Sequence, residues 1–122
     1  MTRFAIEAIA ALVVISLVFN AIAPPAWAID YGKRNLIEND FSNQDLTDSI
    51  FDHANLRGSD FSHANLQGVR FFAANLEGAT FEGADLSYAD LESARLTRVN
   101  FTNAVLVGAF ATNTLFNGAI ID

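Results

Sequence analysis

The chain has 122 residues, which allows one domain at most, and its 17% charged and 52% hydrophobic content fits a globular protein. A formal net charge of −7 keeps such a protein soluble and disfavours nucleic-acid phosphate or an anionic membrane as partners. With no cysteine in the chain, no disulfide holds the fold in any compartment.

Residues 1–28 read as a secretory signal peptide. Arg3 supplies a short basic start, an apolar run extends from Ala8 to Phe19, and Pro24 and Pro25 precede Ala26-Trp27-Ala28. Small residues at −3 and −1 place the expected cleavage after Ala28. The competing reading is an uncleaved anchor, but the run falls short of the roughly 20 apolar residues a span needs. No Arg-Arg pair precedes it, so the general secretory route is expected rather than the twin-arginine route. The mature chain, residues 29–122, loses one base (Arg3) and one acid (Glu7) and keeps its charge of −7.

From Leu36 onward a large apolar residue recurs at every fifth position: Leu36, Phe41, Leu46, Phe51, Leu56, Phe61 and so on to Ile121. Eighteen such beats pass without an insertion, and only Ala111 among them is small. Two residues before most beats stands a second small residue, such as Ala54, Ala64, Ala74, Ala84, Ala94 or Ala104. A helix or a flat strand would scatter a period of five around its circumference. A short extended piece followed by a corner satisfies it, because alternate residues of the piece face the same way. The beat and the small residue then point inward, while Asp40, Asp45, Asn55, Asp60, Asn65, Asn75 and Asp85 point out. Six of the seven glycines fall two residues after a beat, where a tight corner asks for φ > 0. His53, His63, Tyr88 and Arg98 share that phase, so some corners are expected to use another turn type.

This pattern resembles the pentapeptide-repeat family, whose consensus A-(D/N)-L-x-x is matched by Ala54-Asn55-Leu56-Arg57-Gly58, Ala64-Asn65-Leu66-Gln67-Gly68 and Ala74-Asn75-Leu76-Glu77-Gly78. The resemblance implies an all-β fold, a right-handed quadrilateral β-helix with twenty residues per coil. Eighteen beats then make about four and a half coils, a rod about 22 Å long at roughly 4.8 Å per coil. Twenty-residue phasing is visible in the residues themselves. Phe41, Phe61, Phe81 and Phe101 stack on one wall, and Leu46, Leu66, Leu86 and Leu106 on another. The stretch Ile29 to Glu38, with Tyr31, Lys33 and Arg34, is expected to fold across the first coil as a polar-faced plug.

Catalytic chemistry is missing from the pattern. His53 and His63 sit half a coil apart on opposite corners and cannot share a metal or form a dyad. Acids are scattered over a solvated surface, and no serine or threonine has a histidine at usable spacing. The reading is a non-enzyme with no catalytic, cofactor or metal residue.

Over most of the rod the residue before the beat is polar, but the last four, near the carboxy terminus, are not. There Val105, Phe110, Leu115 and Ile120 replace the earlier Asp and Asn residues, and Val107 joins them. Two readings stand: a covered or interacting surface, and a terminal coil of relaxed sequence whose register slips to turn Phe110, Leu115 and Ile120 inward. The leader together with the stretches Asp40–Thr47 and Leu66–Phe72 is similar to the pentapeptide-repeat proteins of the cyanobacterial and chloroplast thylakoid lumen. Those relatives continue into a helical cap that is not present before Asp122. The resemblance implies an exported interaction scaffold of the thylakoid lumen or periplasm, with a protein partner or self-association through the carboxy-terminal coil. It implies no nucleic-acid partner, and no membrane contact after cleavage. The alternative is a nucleic-acid mimic of the gyrase-inhibitor type, which the charge suits. Export and the scattered Arg57, Arg70, Arg95 and Arg98 argue against it.

Overall fold

The computed structural model describes residues 28–122. The expected signal peptide therefore lies, except for Ala28, outside the described residues. From Asp30 onward the backbone pairs with itself at one fixed interval. Fifteen parallel bridges run from Asp30↔Ile50 to Asn100↔Ile120, and every one joins residues twenty apart. The result is a solenoid that returns above its own backbone every twenty residues and turns four corners on the way.

All corners but the one at Ala111 share one hydrogen-bonded form. The beat carbonyl accepts from the N–H three residues on, as Phe51 does from Ala54 at 3.0 Å and Phe81 from Ala84 at 2.9 Å. The residue two after the beat has φ between 54° and 74° at all eighteen corners from Lys33 to Gly118. That combination is a type II turn. The expectation of a different turn at His53, His63, Tyr88 and Arg98 is therefore incorrect. Their left-handed backbone is imposed by the neighbouring coil: His53 N–H donates to Phe72 O, Tyr88 N–H to Val107 O and Arg98 N–H to Asn117 O, each at 2.9 Å. A side chain at φ > 0 costs about 1–2 kcal/mol, and satisfying a backbone donor that would otherwise be buried offsets it.

The amino-terminal stretch also departs from expectation. Ile29 to Glu38 does not cross the first coil as a plug; it is the opening half of that coil. Tyr31 occupies the beat phase, its N–H bonds to Ile50 O at 2.7 Å, and Asn35 bridges Asn55. Because Tyr is large and its position is five before Leu36, it stacks on Phe51 at 4.6 Å with the planes 8° apart.

The interior is a solid column of side chains. Phe41, Phe61, Phe81 and Phe101 stack at 4.9, 5.0 and 5.3 Å along one wall. Tyr31, Phe51 and Phe71 stack along the opposite wall, and the two stacks meet edge to face, 5.4–5.8 Å apart. Both arrangements suit the ring quadrupole and add about 0.5–1.5 kcal/mol per pair to simple burial. Leucines fill the remaining walls and the small phase, Ala54, Ala64, Ala74, Ala84 and their equivalents, lets the walls close. Ser59 takes that phase without a buried orphan, since its hydroxyl donates to Leu36 O at 2.8 Å.

Two consequences are measurable by denaturation. Phe81, fully buried between two stacked rings, should lose about 3–5 kcal/mol on Phe81→Ala. Ala84→Leu should cost at least about 1–3 kcal/mol by overpacking, and an unchanged midpoint would overturn the inward assignment of the small phase.

Tyr31 gives a prediction of opposite sign. Its hydroxyl is buried with no hydrogen-bond partner, and burial pushes the phenol up to about 12 against the opposing pull of Arg34. A folded pKa above the ordinary value of about 10 means full stability below about pH 10, lost as pH rises toward about 12. Tyr31→Phe removes the orphan hydroxyl and should stabilise by about 1–3 kcal/mol. It should also flatten the alkaline arm of the stability profile; an alkaline arm that persists in the variant would refute the assignment.

Candidate functional site

The residue just before each beat bridges to the neighbouring coil through its backbone, which turns its side chain outward. One N–H per repeat finds no backbone acceptor in this geometry, that of the residue just after the beat. The outward side chain reaches it. Asp40 Oδ1 accepts from Ser42 N–H at 2.9 Å, Asp60 from Ser62 at 2.8 Å, Asp90 from Glu92 at 2.9 Å and Asn100 from Thr102 at 3.0 Å. Asp30, Asp45, Asn65, Asn75 and Asp85 do the same, and Thr80 does so more weakly. These are Asx turns. Sequence reasoning took the same residues as merely solvated; the signal it missed was Asp or Asn at a fixed place ahead of a turn.

Several of these caps are reinforced. The Ser42 hydroxyl and then its N–H hold the Asp40 carboxyl below the usual carboxylate range. The Gln67 amide, ahead of the Ser87 hydroxyl and N–H, does so for Asp85. Ion pairs also join neighbouring coils: Arg70 to Asp52, and Arg95 and Arg98 to Glu77, the Arg95 contact at 3.6 Å. Exposed pairs of this kind contribute only about 0–1 kcal/mol each.

The five residues singled out near the carboxy terminus all lie exposed. Val105, Phe110, Leu115 and Ile120 are 44%, 64%, 53% and 52% accessible, and Val107 is 64% accessible. Their bridges to Asp85, Asp90, Arg95 and Asn100 keep the outward phase, so there is no register slip in this coil. Being five residues apart they occupy successive walls and form a belt, not a flat patch. None of the four bridging side chains is able to accept from the N–H of Val107, Thr112, Asn117 or Asp122. The belt has exchanged its caps for apolar surface.

The histidines are not brought together. His53 lies edge-on to Phe72 at 5.5 Å, while His63 lies over Gly83. Among the described residues no group of three or more His, Asp or Glu side chains is placed to hold a metal, and no helix is long and apolar enough to cross a membrane.

Comparison with known proteins follows this geometry. A family profile described as pentapeptide repeats matches residues 35–62, 64–103 and 94–122, with eight copies. A pentapeptide repeat protein of the Arabidopsis thaliana thylakoid lumen is 43% identical with a TM-score of 0.71. The match covers 72% of this chain and 61% of that one, so this chain spans about three fifths of its length. The pentapeptide repeat protein Rfr23 of the cyanobacterium Cyanothece 51142 is 32% identical over 76% of this chain and 67% of its own, with a TM-score of 0.53. No curated protein sequence matches.

The caps make a stability prediction. Asp60→Ala should cost about 0.5–1.5 kcal/mol, whereas Asn75→Asp keeps its acceptor and should be nearly silent. The depressed carboxyls of Asp40 and Asp85 stabilise the fold above about pH 4, and that contribution is lost as pH falls through their lowered values. Urea midpoints between pH 5 and pH 2 should therefore fall less for the double variant Asp40→Asn and Asp85→Asn than for the wild type. Parallel profiles would refute the role of the caps.

Proposed function

The chain belongs to the pentapeptide repeat family, and from that premise we propose that it is an exported, non-enzymatic scaffold presenting a rigid rod to a protein partner in the thylakoid lumen. In this reading the solenoid is a right-handed quadrilateral β-helix of about four and a half coils, cleaved from its leader after Ala28. The observation that carries the interaction role is the belt of Val105, Val107, Phe110, Leu115 and Ile120, where earlier coils carry capping Asp and Asn. Covering large apolar side chains is worth about 1.5–3 kcal/mol each, more than the cap each one forgoes. The thylakoid-lumen relative supports the lumen over the periplasm as the compartment.

Fractionation and a double variant test the two halves of the proposal. The protein recovered from the lumenal fraction should begin at Ile29; a membrane-bound form beginning at Met1 would replace export with anchoring. Phe110→Asp with Leu115→Asp should keep the thermal transition and abolish association in sedimentation and partner recovery. A wild-type monomer at high concentration, together with unchanged partner recovery by the variant, would remove the belt from the proposal.

A further inference from the structure

Asparagine followed by glycine occurs once in the chain, at Asn117-Gly118, and the pair falls on a corner. Gly118 is the left-handed residue of that corner, with φ 74°. At the fifteen corners from Lys33 to Asn103 the equivalent N–H donates to a carbonyl of the next coil. Gly78 N–H is held in this way by Thr97 O, and Arg98 N–H by Asn117 O, each at 2.9 Å. The Gly118 N–H has no acceptor among the described residues. The Asn117 N–H lacks a cap as well, because Leu115 stands where an Asx acceptor would be. Asn117 itself is exposed.

An asparagine carboxamide is an electrophile for the backbone nitrogen that follows it. Closure joins that nitrogen to Cγ in a five-membered ring, and a side chain on the following residue hinders it; glycine has none. The closed corner does not allow the reaction, since the residue after the beat of a type II turn has ψ of about 120°, which holds the Gly118 nitrogen away from Cγ. Opening of the corner is therefore the step that the fold controls. An inner corner must break a ladder bond to open, and in most cases an Asx cap too. At Asn117 the remaining ties are Ala119 N–H to Phe116 O at 2.9 Å, Arg98 N–H to Asn117 O at 2.9 Å and Ile120 N–H to Val99 O at 2.8 Å. Leu115, Phe116 and Ile121 around it are exposed. Local opening needs least free energy where buried apolar contacts are few and backbone bonds meet solvent.

We propose that Asn117 is a site of spontaneous modification, in which the Gly118 nitrogen displaces ammonia from the side chain and water opens the ring to isoaspartate or aspartate. Hydroxide takes the Gly118 N–H proton and the N–Cγ bond forms. The Cγ–Nδ2 bond then breaks, and Nδ2 gains a proton from water and leaves as ammonia. Water added at Cγ restores the main chain with aspartate. Water added at the Asn117 main-chain carbonyl carbon instead routes the backbone through Cβ and Cγ, which is isoaspartate. Nothing is oxidised or reduced, and water is the only co-reactant. Either product adds a negative charge. Isoaspartate also lengthens the backbone by one atom at a corner where Asn100 bridges Ile120. The carbonyl that accepts from Arg98 becomes a branching carboxylate, and Leu115 and Ile120 of the belt flank it. The site limits how long this coil keeps its shape, and a cover that holds the corner closed slows the reaction. This chemistry does not rest on the scaffold reading, so the two fail separately.

The test is to age the full chain in mildly alkaline buffer, folded and in urea, and to map its peptides by mass and by isoaspartyl methyltransferase labelling. Asn117 of the folded protein should convert with isoaspartate in excess over aspartate, while Asn103 and Asn113 keep their amides. Asn117→Gln, whose ring would need six members, should slow the conversion at least tenfold. Gly118→Ala should do the same, and Ala73 at φ 54° shows that alanine is accommodated at such a corner. In the isoaspartyl form the Arg98 and Ile120 amides should lose hydrogen-exchange protection while the Leu56 amide keeps its own. An Asn117 amide that survives in the folded chain, whether or not urea releases it, would overturn the site, as would equal loss at Asn103 and Asn113. Aspartate without isoaspartate would mean direct hydrolysis and overturn the ring mechanism. Unchanged protection of Arg98 and Ile120 would overturn the effect on the coil.

Discussion

Two backbone hydrogen bonds flank each of the fifteen corners from Lys33 to Asn103, and the remaining architecture depends on them. The beat and the residue two after it both donate to carbonyls nineteen positions on: Phe61 to Thr80 and His63 to Glu82, each at 2.8 Å. Between these anchors the chain has only three residues in which to reverse, and a left-handed third residue is what completes the turn. The ladder therefore sets the backbone first and accepts what side chains the sequence supplies. Twelve of the eighteen corners are not glycine, and Lys33, Glu38, Tyr88 and Arg98 all adopt φ near 60°. A preference that governs isolated turns becomes a secondary term when two cross-coil bonds of about 0.5–1.5 kcal/mol net each oppose it.

That hierarchy explains which features were legible in the sequence. The period of five and the stacking of like on like at twenty are long-range regularities, and they announce the inward phase, the corner phase and the four walls. The inward positions Phe41, Leu56, Phe81 and Leu86 are buried as their phase requires. Turn type was not legible, because residue preference at His53 or Arg98 points one way and the ladder forces the other. Tyr31 was misread for a related reason. Its neighbours Lys33 and Arg34 are charged, and polarity outweighed phase, although counting five back from Leu36 reaches it. The Asx caps were legible in principle, since the acceptor always precedes the unpaired N–H by two residues, but side-chain polarity alone does not distinguish a cap from a solvated residue.

The candidate surfaces were legible only as departures from the repeat. Val105, Phe110, Leu115 and Ile120 break the polar outward phase one residue at a time, and a residue-by-residue reading finds them. The corner surface at Gly58 and Gly78 breaks a rule that no single residue displays: five other corner glycines lie against a corner side chain one coil earlier, and Gly78 meets nothing within 4 Å. Its emptiness depends on the lean of corner side chains, which sets Glu38 over Gly58 and leaves Gly78 bare. A steric relation between residues twenty apart becomes visible when the coils are stacked.

A solenoid of this kind separates the demands on its inside from those on its outside. The core tolerates little change, because each ring is held between copies of itself one coil away. Outside, a position owes the fold only a corner that the ladder already enforces and a cap worth about 1 kcal/mol. An outward residue is thus free to vary at small cost, and a run of outward residues that all forgo the cap accumulates that cost without any return from the isolated rod. The belt is such a run: Val105, Phe110, Leu115 and Ile120 stand one coil beyond Asp85, Asp90, Arg95 and Asn100, three of which are acceptors, and none of the four offers a cap. Covering those side chains would supply the compensation that the rod alone does not, and that is the physical ground of the proposed interaction surface.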